Sequence, residues 1–333
     1  MPKFSIITPS YNSWKYMSKY LESLEKQTYQ NFEVIIVDDC SLDDTFIKIS
    51  EYAEKSFLNI KVLQNSENHG PGYTRNRGME EATGEWITFV DSDDSIDPFL
   101  LEKAISVIDG NYNQGYPINC IVYDYNIVKG EQVRIASSMY GNHIRGVQSI
   151  PTCIAMVRNH VIGKIYRAER VKKIKFPELK RCEDVAFVCQ AIDVCCMEGK
   201  NQIGDVYYLK EALYYYEQRS SSLSNDKFLD ETDMIKAHQI IKDKLGEKYP
   251  KEICTKAVPD LLYGGVLMMC KSRKSARDIR NYISDFEKQY PNWHRNRILK
   301  ELGKTKLIFL ICIKYRKISV LKMLTRIHSK MTG

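Results

Sequence analysis

An α/β fold built on a mostly parallel sheet flanked by helices is what the first hundred residues predict. Three observations carry that prediction. Short apolar, β-branched runs recur along the segment, stretches with helical spacing lie between them, and each run ends abruptly in polar or acidic residues. The first run, "FSIIT" from Phe4 to Thr8, reads as a buried strand closed by Pro9. Ser13 stands where it can cap the next stretch, in which Tyr16, Tyr20, Leu21 and Leu24 fall at helical spacing. "FEVIIVDD" is a second strand, and residues 45 to 55 a second helix. "NIKVLQN" is a third strand, followed by a glycine-containing turn and a helix over Tyr73 to Ala82, and "EWITFV" is the fourth strand. The runs are continuously apolar rather than alternating, as in strands buried on both faces of a parallel sheet. In such sheets ligands bind outside the carboxyl ends of the strands. The segments "PSYN", "DDCSLDD", "ENHG" and "DSDD" are therefore expected on one rim.

Composition bounds the class. With 44% hydrophobic and 27% charged residues in 333, the chain matches a soluble globular protein of one large domain, or one domain with an appendage. Ten cysteines show no metal-site rhythm: Cys195 and Cys196 are adjacent, Cys182 and Cys189 are seven apart, and CxxC is absent. Scattered thiols fit a reducing cytosol. "MPKFSIITPSYN" does not read as a signal peptide, and no uninterrupted apolar run approaches the roughly 18 residues that span a bilayer. The net charge of +7 is too modest to imply a nucleic-acid partner, so its distribution matters more than its size.

The stretch "GEWITFVDSDD" poses the sharpest chemical question. Unpaired carboxylates at the end of a buried strand are costly, and Asp91, Asp93 and Asp94 repel one another. Without basic partners close in sequence, such acids suggest a hard divalent cation, which prefers carboxylate and phosphate oxygens. Other acids read more simply as caps and turn formers: Asp43 and Asp44 before the second helix, and Asp94 or Asp97 before a helix near Pro98.

"SIITPSYN", "QTYQNFEVIIVDDCSLDDT", "NHGPGYTRNRGMEEATGEWITFVDSDD" and "RCEDVAF" occur in the order found in family 2 glycosyltransferases. The resemblance is nearly continuous over residues 3 to 100 and recognisable to about residue 220. It implies the GT-A fold, a nucleotide-binding α/β unit joined to an acceptor-binding portion, and inverting transfer of a sugar from a nucleotide-sugar. The implied division is a nucleotide-sugar-binding half (1–100), an acceptor-binding half with the general base (101–224), and a helical C-terminal region (225–333).

By the same resemblance, Tyr11 lies beside the nucleotide base and Pro9 belongs to the nucleotide-sugar site. Asp39 accepts a hydrogen bond from the uracil ring nitrogen, with Asp38 as the competing candidate. Arg75 belongs to the nucleotide-phosphate region, and Asn68 and Gly70 form the turn over the site. Asp91 and Asp93 match the family's DxD. Asp93 is the expected ligand of Mn²⁺ or Mg²⁺, Asp91 meets the ribose or a metal-bound water, and Asp94 has an open role. Glu183 and Asp184 match the ED motif, in which Asp184 is the general base. In "NHVIGKIYRAERVKKIKFPELK", Ile162 and Gly163 stand where relatives carry Trp-Asn, a departure that undercuts acceptor contacts there. Lys164 faces either phosphates or solvent. Gln218, Arg219 and Ser222 are candidates to close over the diphosphate.

The expected reaction is thus metal-dependent, inverting transfer of a hexosyl group from a UDP-sugar to a glycan hydroxyl. The expected acceptor is a bacterial surface polysaccharide carried on undecaprenyl diphosphate. A catalytically silent sugar-nucleotide-binding partner is the alternative. A dinucleotide oxidoreductase would need GxGxxG after the first strand, where "PSYNSW" stands. The tail from Lys304 to Lys330 holds eight Lys or Arg and no acid. Read as one amphipathic helix, it puts Phe309, Ile313, Val320, Leu324 and Ile327 on one face and Lys322, Arg326 and Lys330 on another. That pattern suggests binding to the inner face of the cell membrane, making this a cytoplasmic, peripheral protein.

Overall fold

The computed structural model describes residues 2–114, 117–195, 206–219 and 231–332. Ser222 and Cys196 lie outside the described residues, as does the side chain of Lys330. Two compact units form. The first holds residues 1–139, 144–153 and 158–218, and the second holds 140–143, 154–157 and everything from Arg219 on.

The first unit opens with β1 (Phe4–Ser10), α1 (Ser18–Glu25), β2 (Phe32–Asp38), α2 (Thr45–Lys55), β3 (Ile60–Gln64), α3 (Pro71–Glu81) and β4 (Trp86–Phe89). It continues with β5 (Ser95–Ile96), α4 (Leu100–Asn113), β6 (Cys120–Lys129), β7 (Gln132–Ala136), β8 (Gly146–Gln148) and the start of α5 (Ile150–Met156), whose last three residues belong to the second unit. β9 (Lys164–Arg167), α6 (Ala168–Val171), α7 (Glu183–Val194) and β10 (Val206–Glu217) complete it. The strands form one sheet of order β3-β2-β1-β4-β9-β6-β10-β5. β1 to β4 are mutually parallel where they pair, and β9 enters antiparallel to both β4 and β6. Because β1–β4 run the same way, their carboxyl ends share one rim. β1 and β2 are central and buried almost throughout, which is why their sequences are continuously apolar. β3 is the sheet edge, and its burial is partial.

Three elements differ from the sequence expectation. β1 does not close at Pro9 but runs through it to Ser10, paired with β2. Residues 7 and 9 point their backbone groups toward β4, and β4 has ended opposite Ile7, so the N–H that proline lacks has no partner to lose. Ser13 does not cap a helix with its side chain. Its hydroxyl meets that of Ser10 at 2.8 Å, and a short 3₁₀ turn (Trp14–Tyr16) precedes α1. α3 starts two residues earlier than its pattern suggests, with Pro71 in its first turn.

The second unit is helical: α8 (Thr232–Leu245), α9 (Pro250–Ala257), a π-helical turn (Val258–Gly265), α10 (Val266–Lys271), α11 (Ala276–Gln289), α12 (Lys304–Lys314) and α13 (Ile318–Thr332). α9, the π turn and α10 form one 22-residue run that is long and apolar enough to cross a membrane by length and composition. About two thirds of its most apolar window is buried within the protein, the environment of a core helix. The tail is not one helix. It breaks at Tyr315–Lys317, where Arg316 adopts φ 53° and pairs with Glu287 at 2.6 Å. The single apolar face projected from the sequence therefore does not exist: Phe309 and Ile313 are buried, whereas Val320 and Ile327 are exposed.

Candidate active site

The rim after β1 and β2 is tied together by short polar side chains. Asn12, at φ 48°, accepts a hydrogen bond from Leu42 N–H through its side-chain oxygen, and its own N–H donates to Ser41 Oγ. Tyr11, just past β1, is 43% exposed, so it is a surface aromatic and not a core tyrosine. Pro9 is half-buried beside it. The two acids after β2 divide their work. Asp38 accepts from Ser41 N–H and from the Ser41 hydroxyl, and so builds the turn. Asp39 is buried and accepts from Asn65 Nδ2 (2.7 Å), His69 N–H (3.0 Å) and Gly70 N–H (2.7 Å). It pins the loop after β3 against the rim, and Asn68 Nδ2 adds a bond to its carbonyl. A carboxylate has about four lone-pair sites, so three donors leave Asp39 one further acceptance.

After β4 the chain turns at once, with Asp94 N–H on the Asp91 carbonyl (3.1 Å). Asp94 caps no helix. It is buried, its carboxylate accepts from the Tyr214 hydroxyl (2.6 Å) and Glu217 N–H (2.8 Å), and burial together with Asp91 raises its pKa well above the usual carboxylate range. Tyr214 also receives the Asp91 N–H at 3.1 Å, so one hydroxyl on β10 holds both ends of the turn. Asp97 does not cap α4 either: Phe99 is the residue before the helix, and Asp97 only accepts from Phe99 N–H in the turn that leads into it. Asp93 sits half-buried at the middle of the turn.

The counter-charge of Asp91 comes from inside the protein. Arg75 on α3, almost wholly buried, reaches Asp91 at 2.9 Å with one nitrogen and Glu183 at 3.0 Å with another. Burial alone would weaken its charge, but the two carboxylates outweigh this and hold the guanidinium protonated. It also lies over the ring of Phe176, 5.6 Å from the centroid, and Phe176 stacks flat on Phe187 of α7 at 3.6 Å. Asn76 clamps the Phe176 backbone from both sides. At Gly72 a Cβ would stand 3.1 Å from Glu183 Cγ and 3.3 Å from Phe176 Cβ, so glycine there lets α3 approach the start of α7. Arg75 thereby ties the DSDD turn to the acid pair "ED".

That pair also divides. Glu183 is buried against Arg75. Asp184 keeps a half-buried carboxylate at the first turn of α7, accepting from Val185 N–H at 2.8 Å. Desolvation, then the charge of Glu183, pushes its pKa up to about 7, against the opposing pull of Arg75, the Val185 N–H and Lys164. A carboxylate poised near neutrality suits a general base.

Lys164 faces neither phosphate nor solvent. It is fully buried on β9, with Nζ donating to the carbonyls of His160 (2.5 Å) and Ile162 (3.2 Å). The departure at 162–163 makes that turn: Gly163 adopts φ 72°, and a Cβ would stand 2.7 Å from the Tyr123 carbonyl oxygen. Gln218 closes β10 onto β6 through its N–H to Val128, and Arg219 opens the C-terminal stretch of the second unit. Tyr214 and Asn65 escaped the sequence reading. β10 shifts register twice between Leu209 and Tyr215, and such irregularities re-aim side chains without a period that a sequence displays.

Among the described residues no three His, Cys, Asp or Glu side chains converge as a metal site. The local donors, Asp91, Asp93 and Asp94, are carboxylates, which fit a hard cation shared with substrate phosphates and do not fit an all-protein cage.

A parallel β3-β2-β1-β4 sheet with acidic turns beyond β2 and β4, and an acid pair brought against them, defines the GT-A class of nucleotide-sugar-binding folds. Residues 5–167 match the family model described as Glycosyl transferase family 2. An uncharacterized glycosyltransferase of Haemophilus influenzae is 30% identical over 232 residues, covering 68% of this chain and 84% of that protein. The chain belongs to glycosyl transferase family 2. It is also 34% identical over 266 residues to the poly(ribitol-phosphate) beta-N-acetylglucosaminyltransferase TarS of Staphylococcus aureus, covering 76% of this chain and spanning 43% of TarS. The crystal structure of TarS 1–349 in complex with UDP superposes with TM-score 0.67 and 25% identity, over 98% of this chain and 91% of that one.

Proposed function

We propose that this chain transfers a hexosyl group from a UDP-sugar to a hydroxyl of a bacterial surface glycan, with inversion at the anomeric carbon. The observation that carries the reading is Arg75, which joins Asp91 of the DSDD turn to Glu183 beside Asp184. The UDP complex of TarS supports a uridine donor, and the name of TarS makes UDP-N-acetylglucosamine the first to try. Tyr11 offers a face for the base, with Pro9 beside it, and Asp39 has an acceptance left for the uracil imide. Asp93 and the donor diphosphate would hold Mn²⁺ or Mg²⁺, and a cation so held stabilises charge on the departing diphosphate. To Asp91, fixed by Arg75, we assign the ribose or a water on the cation.

Asp184 then takes the proton of the acceptor hydroxyl. The acceptor oxygen attacks the anomeric carbon opposite the diphosphate, the carbon–phosphate-oxygen bond breaks, and an α-linked donor becomes a β-glycoside with release of UDP. Acceptors carried on a lipid diphosphate would bring the enzyme to the cytoplasmic face of the membrane, with the cationic C-terminal helices as its contact. Purified protein with a UDP-sugar panel, Mn²⁺ and a glycan acceptor should release UDP and a product of the expected mass. Asp93→Ala and Asp184→Asn should each abolish transfer. Full transfer by Asp184→Asn would overturn the base assignment.

A further inference from the structure

The break in the tail rearranges its apolar residues. α12 buries Phe309, Leu310 and Ile313, and α13 buries Ile318 and Leu321. Each helix nonetheless exposes a second apolar row at the same spacing of three and four: Ile308 and Ile311 on α12 with Tyr315 just past its end, and Val320, Met323 and Ile327 on α13. The two rows meet at an apolar cavity of about 160 Å³, where Ile308 and Ile327 stand with Phe309, Leu324, Tyr263 and Leu267.

The charge that these two helices themselves carry has one sign. Lys322 donates to the Lys274 carbonyl, Arg316 pairs with Glu287, and Lys306 lies over the rings of Tyr140 and Tyr263, so these cations are engaged within the unit. Lys304, Lys314, Lys317 and Arg326 are exposed. The tail from Lys304 to Lys330 contains no acid to balance them. A second copy packed symmetrically on this face would set the same cations against each other.

We propose that α12 and α13 seat the protein on an anionic lipid bilayer. Their two exposed rows enter the interface, hydrocarbon fills the cavity between Ile308 and Ile327, and the four cations rest on lipid phosphates. The seat rests on the membrane location given above, and names the surface that makes it. Each cation near an anionic leaflet strengthens binding about fivefold.

The test is cosedimentation of the full chain with vesicles of phosphatidylcholine alone or with roughly a third phosphatidylglycerol, at about 0.1 M and about 0.5 M salt. Binding is expected only to the anionic vesicles, weaker at high salt. Lys314→Ser with Lys317→Ser should weaken it about thirtyfold, and Ile308→Asn with Ile327→Asn should weaken it at both salts. No binding to anionic vesicles, or binding that neither pair alters, overturns the proposal. So does a dimer in light scattering that Ile308→Asn with Ile327→Asn converts to monomer. UDP release with a soluble acceptor separates the two readings: these variants should retain it, and its loss in Asp184→Asn belongs to the transfer chemistry alone.

Discussion

Replacing Arg75 with methionine keeps much of the side chain's volume and removes its charge, so it isolates what the buried cation does. Arg75 is 6% exposed, and its guanidinium carries ion pairs at 2.9 Å to Asp91 and 3.0 Å to Glu183. Removing one member of a buried charge cluster leaves uncompensated carboxylates, a cost of about 3–5 kcal/mol. In a domain of roughly 150–250 residues, each kcal/mol lowers the melting temperature by about 2–4 °C, so Arg75→Met should melt roughly 6–20 °C below the parent. The cause can be isolated by differential scanning calorimetry on a cycle with Glu183→Gln. The double variant should be less damaged than the sum of the singles by about 0.5–3 kcal/mol, because neutralising Glu183 removes one of the stranded charges. A melting temperature for Arg75→Met within about 2 °C of the parent, or strict additivity in the cycle, would refute the view that this arginine joins the two acidic motifs by charge.

Asp184 makes two predictions. Its folded pKa of about 7 lies above its ordinary value, so the folded state binds the extra proton; stability is full below the ordinary value and falls as pH rises through about 7. Asp184→Asn should therefore melt higher than the parent at pH 8 and show little difference at pH 4, and the parent's transfer rate should fall as pH drops through about 7. Tyr214→Phe leaves the buried Asp94 carboxylate and the Asp91 N–H each one partner short, a loss of about 1–3 kcal/mol. Calorimetric titration with UDP and Mn²⁺ should show weaker binding in that variant, because the DSDD turn loses its anchor. Gly163→Ala should lower the melting temperature in a thermal scan, since φ 72° and the Tyr123 carbonyl 2.7 Å away both oppose a Cβ.

How far the residues alone go can be seen at the two ends of the site. Continuous apolar runs ending in polar or acidic residues are enough to give β1, β2 and β4, their parallel pairing and the shared rim, because burial on both faces leaves the same mark on every such strand. The acids Asp39, Asp91, Asp93 and Asp184 could be picked out as motif positions for the same reason: local sequence holds them. Their partners are another matter. Arg75 joins Asp91 across 16 positions and Glu183 across 108, and the anchor of Asp94 lies 120 residues away on a strand with register shifts. Nothing in a local window encodes such distances.

The tail shows the same limit from the other side. Its composition announces a cationic, amphipathic segment, but one residue at φ 53° breaks the helix and exchanges the face that is exposed. Type and period of elements follow from side-chain burial, which every residue reports for itself. Which charge meets which, and which face looks outward, follow from how the elements pack, and only the folded chain decides that.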